Sequence, residues 1–190
     1  MSQPSSDSQA IQKPELTARR TRLREFQAQL VERMHTARSE GVHANLLGVM
    51  MGDSRWLLDL QSAGEIVPIG TITQVPLTQP WFLGLTNIRG NLISVIDFPC
   101  FEGGRSTAVD KDSRIVAFGS ALSFNSGLLV SRVLGLRNVD DMQHYDGSDN
   151  DGGEKPAWAG RRYLDRDSQI WTELDLSSVI QHPRFLQVGL

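Results

Sequence analysis

Val75-Pro-Leu-Thr-Gln-Pro-Trp-Phe-Leu-Gly-Leu-Thr-Asn-Ile-Arg-Gly-Asn-Leu-Ile-Ser-Val-Ile-Asp-Phe-Pro-Cys-Phe101 is the stretch whose reading decides the fold. It holds a Pro-Trp-Phe corner (Pro80, Trp81, Phe82), a turn over Asn87 to Gly90, and a strand of apolar residues closed by Asp97. No nucleophile stands beside a base in it. Such a span presents groups to another protein and lacks what an enzyme needs.

Outward from this stretch the chain reads as short strands separated by turn residues. Leu46 to Met51 and Arg55 to Leu60 flank Gly52-Asp53-Ser54, a hairpin signal. Further strands are expected over residues 65–69, 92–98, 114–118, 121–124, 128–133, 135–139 and 169–174. A second hairpin is expected around Phe124 to Gly127 and a third at Asp165 to Ser168. Many short strands at this spacing point to closed or nearly closed sheets, which leave few exposed edges. Helix is scarce in this part. One short helix is expected from Ser177 to Gln181, stopped before Pro183 because a residue preceding proline is pushed out of helical dihedrals.

Residues 1–13 are mostly Ser, Gln, Pro and Asp, too poor in apolar side chains to offset the entropy of ordering, and are expected to be a disordered tail. Residues 14–41 change character. Pro14 suits a first helical position, and Leu23, Phe26, Leu30, Met34 and Ala37 then recur at three and four, on one stripe of a helix ended near Gly41. Residues 15–40 carry six Arg and four Glu, a balance of +2, whereas residues 41–190 carry twelve basic and seventeen acidic residues, a balance of -5. The Leu23, Phe26, Leu30 and Met34 face serves either its own domain or a partner helix, including a second copy. Residues 140–154 are expected to be a mobile acidic loop.

Composition excludes several classes. The 190 residues, 39% hydrophobic, fit one domain or two small lobes sharing a core. The apolar runs are far shorter than the ~20 residues a membrane helix requires, so no direct membrane insertion is expected. A formal charge of -3 argues against nucleic acid, whose phosphates need a basic face. One cysteine, Cys100, leaves no intramolecular disulfide, no leader pattern opens the sequence, and the chain reads as cytoplasmic.

The chemical motifs fail one by one. Phosphate-binding and nucleophile-turn signatures are absent. His35, His43, His144 and His182 are scattered, outside metal-ligand spacing of one another or of Cys100. Asp146-Gly-Ser-Asp-Asn-Asp-Gly-Gly resembles the start of a calcium loop. Setting Gly152 at the turn position, however, puts Gly147 where the first ligand should be and Trp158 where the closing glutamate should be. No catalytic residue, metal or cofactor is therefore expected. Arg89, between Ile88 and Gly90, is costly to bury alone and should find a carboxylate, with Glu65 and Asp97 the candidates. Two readings stay open for it: an ion pair locking two sheets together, or an exposed contact for a partner. Trp81 and Phe82 carry the same ambiguity between core and binding hot spot.

The order of these features resembles the CheW-like domain, the coupling module of bacterial chemosensory arrays. Glu65-Ile-Val-Pro-Ile-Gly-Thr-Ile-Thr-Gln-Val-Pro76, Pro80-Trp-Phe-Leu-Gly-Leu and Asn87-Ile-Arg-Gly-Asn-Leu-Ile-Ser-Val-Ile-Asp97 are similar to that family's strand, Val-Pro corner, aromatic turn, Asn-Leu-Arg-Gly turn and closing strand. Arg114-Ile-Val-Ala-Phe and Gly127-Leu-Leu-Val resemble its second half. Pro80-Trp81, Val133-Leu-Gly-Leu-Arg137, Ile170-Trp171 and Pro183-Arg-Phe-Leu-Gln-Val look like the branch associated with twitching motility and type IV pili. The resemblance implies a mainly β fold of two interlocked five-stranded SH3-like barrels over residues 42–190, with an added N-terminal helix and no active site. It implies an adaptor, one surface meeting a CheA-like histidine kinase and another the tip of a methyl-accepting chemoreceptor. Glu65, Val75, Pro76, Trp81, Phe82, Asn87, Arg89, Gly90 and Asp97 are the candidates for the interface or for locking the lobes.

The chain departs from the family at Ser131, where a carboxylate is usual, at Arg132 beside it, at Ser94 and at Phe98. These changes bear on charge pairing and partner choice more than on fold, since Ser and Phe both suit a strand. The competing reading is a diverged scaffold that self-associates, or binds another partner, through its N-terminal helix. Light scattering of the full chain against residues 41–190 separates the two.

Overall fold

The computed structural model describes residues 45–146 and 155–190. The expected tail, the expected helix with its Leu23, Phe26, Leu30 and Met34 face, and residues 147–154 of the acidic loop lie outside the described residues. Strands β1 (Asn45–Met51), β2 (Ser54–Asp59), β3 (Ala63–Pro68), β4 (Phe82–Ile88), β5 (Asn91–Ile96), β6 (Arg114–Phe118), β7 (Ser126–Val130), β8 (Arg132–Asn138), β9 (Gln143–His144), β10 (Ala159–Leu164) and β11 (Ile170–Leu174) form two sheets. One has the order β8-β1-β2-β11-β10-β9, the other β3-β6-β7-β5-β4. The protein is mainly β, and the sixth strand of the larger sheet, β9, has two residues. Three short helices follow the strands' ends: α1 (Phe98–Phe101), α2 (Leu176–Gln181) and α3 (Pro183–Leu186).

The chain enters the five-stranded sheet after β2 and leaves it after β7, so the smaller sheet is an insertion within the larger one. Each sheet is then sealed by a parallel pair of distant strands, β2 with β11 and β5 with β7. At Ser131 the chain passes from one sheet to the other, and its amide donates to the Met50 carbonyl (2.8 Å).

Strand alternation explains why the two sheets share one body. Successive side chains point to opposite faces, so each strand serves two cores. Leu47, Val49 and Met51 of β1, Trp56 and Leu58 of β2, Ile96, Val116, Leu128 and Val130 all meet in a central core between the sheets. The intervening residues face the other way. Leu57, Tyr163 and Trp171 form a second cluster within the larger sheet, and Val95, Ile115 and Leu129 a third within the smaller one. Strand β7 is therefore buried along its whole length, which is why Leu128-Leu-Val130 is a continuous apolar run and not an alternating one.

Several sequence expectations needed correction. Residues 121–124 form no strand: Ser120–Leu122 is a 3-10 turn, and Ser123 has a left-handed backbone (φ 49). The hairpin expected around Phe124 to Gly127 is absent for the same reason. Leu122 and Phe124 pack on the central core instead of alternating. The expected strand over 92–98 stops at Ile96, and Pro99 sits in the first turn of α1, where its missing N–H costs nothing. The expected strand over 128–133 is divided at the crossing through Ser131. Strands β4 and β10 and helix α3 were not foreseen as such. Of the expected acidic loop, the described residues include a 3-10 turn at Val139–Asp141 and strand β9, paired to β10.

Candidate protein-interaction surface

The β4–β5 hairpin turns through Arg89 and Gly90, because Ile88 pairs with Asn91. Both turn residues have positive φ, 49° and 89°. Gly90 takes this at no steric cost, whereas Arg89 bears roughly 1 kcal/mol of strain. Asn87 offsets part of it, since its Oδ1 accepts the Gly90 amide at 2.8 Å. Both turn residues fall within the expected Asn87–Gly90 span.

Arg89 Nε pairs with Glu65 Oε1 at 2.8 Å, with side chains 80% and 33% exposed. Glu65 is on β3 and Arg89 follows β4, the two edge strands of the five-stranded sheet. The ion pair thus draws two edges of one curled sheet together. It does not join the two sheets, which corrects the expected lock between lobes. Glu65, Thr86, Asn87, Ile88 and Arg89 line a cleft of about 250 Å³ along this seam. At this exposure the pair contributes at most about 1 kcal/mol to stability, and both charges stay available to a partner.

Asp97, the other carboxylate considered for Arg89, is buried and taken by a different group. Its Oδ2 accepts the Thr107 amide (2.7 Å) and its Oδ1 the Thr107 hydroxyl (2.8 Å). That arrangement ties the polar segment after α1 to the end of β5. Asp97 is a structural residue.

Trp81 is 4% exposed. Its ring stacks on Phe185 with centroids 5.8 Å apart and meets Phe101 edge-on at 5.3 Å. Phe101 in turn packs against Trp158, and Arg184 lies over the Phe101 ring while donating to its carbonyl. The Pro-Trp-Phe corner therefore inserts Trp81 into the central core, and Phe82 packs partly buried beside it. Val75 and Pro76, by contrast, are exposed, and so is Leu77, at 79%. Leu77 has a φ of 59° and is held by the C-terminal segment, through Leu190 N to Leu77 O (3.0 Å) and Gln79 N to Val188 O (2.8 Å).

The preceding loop is pressed onto β4 by Thr73, whose amide and carbonyl both bond Leu85 at 2.8 Å. Gly84 makes this possible: its φ is 130°, and a Cβ there would lie 2.2 Å from the Thr73 carbonyl oxygen. Leu92, 59% exposed and paired with Asn87 across the hairpin, was not singled out from the sequence. Its even position on β5, shared with Ser94 and Ile96, places it on the face that the larger sheet covers only farther along. At the departures from the family pattern, Ser94 Oγ lies 2.9 Å from Ser126 Oγ, and Arg132 pairs with Asp112 at 3.3 Å.

Among the described residues no group of three or more His, Cys, Asp or Glu could hold a metal ion. No described helix is long and apolar enough to cross a membrane. The perturbed acids have structural causes. Burial pushes the Glu102 carboxyl up, partly offset by the Trp158 indole N–H at 3.1 Å. Asp165 is raised by burial but held net low by the Trp171 indole N–H, the Gln169 and Asp167 amides and Arg137.

Comparison with known proteins gives a consistent family. The CheW-like domain pattern matches residues 45–184. Protein PilI of Pseudomonas aeruginosa is 27% identical over 92 residues, 48% of this chain and 51% of that protein. Protein FrzA of Myxococcus xanthus is 27% identical over 89 residues, 47% and 55% of the two chains. The chain thus spans about half the length of the curated relatives it matches. The crystal structure of scaffolding protein TtCheW from Thermoanaerobacter tengcongensis shares the fold at 20% identity, with a TM-score of 0.59 over 74% of this chain and 94% of that one.

Proposed function

The chain belongs to the CheW-like domain family, a family of non-catalytic adaptors, and from that premise we propose that it couples a methyl-accepting chemoreceptor to a CheA-like histidine kinase in a pathway controlling twitching motility by type IV pili. The observation that carries this reading is the family match over residues 45–184, which takes in both sheets. The twitching assignment is supported by the similarity to PilI and by the Pro80-Trp81 and Ile170-Trp171 features. The exposed hairpin of Asn87, Arg89 and Gly90, with Glu65 beside it, is the surface we assign to one of the two partners. Val75 and Pro76 on the neighbouring loop extend it.

Immobilised protein should retain the regulatory domain of a CheA-like kinase, and separately a receptor's cytoplasmic tip, at micromolar strength. Retention of neither partner at low salt would overturn the reading. Arg89→Ala should weaken one of the two by about tenfold, because a rim charge acts on binding more than on folding.

A further inference from the structure

Strand β8 ends the six-stranded sheet: β1 pairs with one of its edges, and no described strand pairs with the other. A terminal strand presents a row of unpaired amides and carbonyls, a template for one more strand. Proteins blunt such edges with lysine, proline or a bulge. Strand β8 has neither Lys nor Pro, and its register shift against β1 falls at Leu134, so a regular run from Gly135 to Asn138 is left beyond it. The sheet's other end is blunted by brevity, since β9 has two residues.

Leu136, Arg137 and Asn138 of this run line a cleft of about 400 Å³ together with Met142 and the β10–β11 turn. Its charges nearly cancel, Arg137 and Arg166 against Asp141, Asp165 and Asp167, so it selects neither an anion nor a cation strongly. It still holds an unanswered donor. The Arg137 guanidinium lies over the Trp171 ring at 5.0 Å, and its Nε is buried without a hydrogen-bond acceptor among the described residues. Asp165, the carboxylate that acts on Arg137, already accepts the Trp171 indole N–H and the Asp167 and Gln169 amides. The Arg166–Asp141 pair is long (3.8 Å) and exposed, and so yields to a ligand at little cost. Leu136, 60% exposed, adds an apolar contact on the same run.

We propose that the free edge of β8 from Gly135 to Asn138 receives an extended, uncharged segment of a partner protein as an added strand. An unpaired strand edge is complementary to another main chain, whose alternating amides and carbonyls carry no net charge, and the balanced charges of the cleft suit such a neutral ligand. An apolar side chain of the segment meets Leu136 and Met142, and a carbonyl of its main chain gives the Arg137 guanidinium an acceptor. The proposal goes beyond the adaptor reading, and rests on it only in taking another protein as the ligand.

The test is an amide chemical-shift and hydrogen-exchange titration of the full chain with the pentapeptide acetyl-Thr-Val-Thr-Val-Thr-amide. A generic strand serves as probe because main-chain bonds supply the affinity of an added strand. It should give saturable shifts at Gly135, Leu136, Arg137 and Asn138, with a dissociation constant on the order of millimolar for so small a ligand, and slow exchange at alternate amides of that run. Two control peptides carry N-methyl groups on the valine amides or on the threonine amides. At least one of them should bind about tenfold more weakly, because alternate amides of an added strand face its neighbour. Leu136→Lys puts a charge on an exposed edge position and should lower affinity by about tenfold while the rest of the spectrum is retained. If that variant does not fold, the methylated peptides on the unaltered chain decide alone. Absence of saturable shifts, shifts confined to other strands, undiminished binding of both methylated peptides, or full affinity in folded Leu136→Lys would overturn the proposal. So would a dimer in sedimentation that Leu136→Lys abolishes, since it would give the edge to a second copy of the chain. The pentapeptide has no feature specific to a kinase or receptor, so its failure leaves their retention untouched, and the reverse also holds.

Discussion

Arg89 combines a left-handed backbone with an exposed ion pair, and the two features oppose each other in energy. Replacing it with glycine relieves roughly 1 kcal/mol of backbone strain and forfeits at most about as much from the pair. Arg89→Gly should therefore unfold within about 1 kcal/mol of the parent protein in a denaturant titration, while losing partner affinity. A destabilisation above about 2 kcal/mol would show that the pair holds the sheet edges together after all. Glu102 gives a pH signature of its own. Its folded-state pKa lies above the ordinary 4.5 because burial penalises the charge. The native state thus binds the proton more tightly than the unfolded chain, and stability falls as pH rises from 4.5 through the raised value. Unfolding curves of Glu102→Gln between about pH 4 and 7 should lack that slope, and an identical slope in the variant would remove Glu102 from the account.

At the scale of elements, short helices hold what the strands leave open. Helix α3 is four residues long, yet its Phe185 stacks on Trp81 and completes the aromatic cluster that includes Phe101. Trp81→Ala removes that stack from a buried site and should cost about 3–5 kcal/mol, readable as a lowered midpoint of denaturation. A loss below about 1 kcal/mol would mean that the corner packs loosely and revive its hot-spot reading. The β10–β11 turn depends on Asp165, which accepts the Trp171 indole N–H (2.8 Å) and the Asp167 and Gln169 amides (2.9 Å each). Asp165→Ala leaves these donors short of an acceptor and should destabilise by about 2–3 kcal/mol. Asp165 is held below its ordinary 3.8, so its contribution is present above that pH and fades as acid brings the pH down through the lowered value.

For the molecule as a whole, the interleaved chain path matters more than any single contact. Ile96, Val116 and Leu128 from the smaller sheet and Leu47, Val49 and Leu58 from the larger share one core, so neither sheet can be peeled away without exposing the other. Leu128→Ala should cost about 2–5 kcal/mol. Tryptophan fluorescence and far-ultraviolet circular dichroism should still follow a single, coincident unfolding transition. Two separated transitions would show that the sheets are independent.

Much of this was legible in the residues. Gly52-Asp53 and Asp165 to Ser168 mark their hairpins because turn geometry is written locally, and the ordered motifs from Glu65 to Asp97 identify the family. The candidate site was legible only in part: Glu65 was foreseen as one of two partners for Arg89, while Leu77 and Leu92 passed unnoticed, since an exposed leucine looks like a core leucine in sequence. The amino-acid order by itself determined a mainly β adaptor fold, through strand-length apolar runs and turn residues set at close spacing. Only the tertiary structure decided that Trp81 is core, that Asp97 belongs to Thr107, and that Arg89 joins two edges of one sheet. Those outcomes depend on which distant strands become neighbours, and burial and charge pairing are properties of that arrangement, which no local stretch of chain encodes.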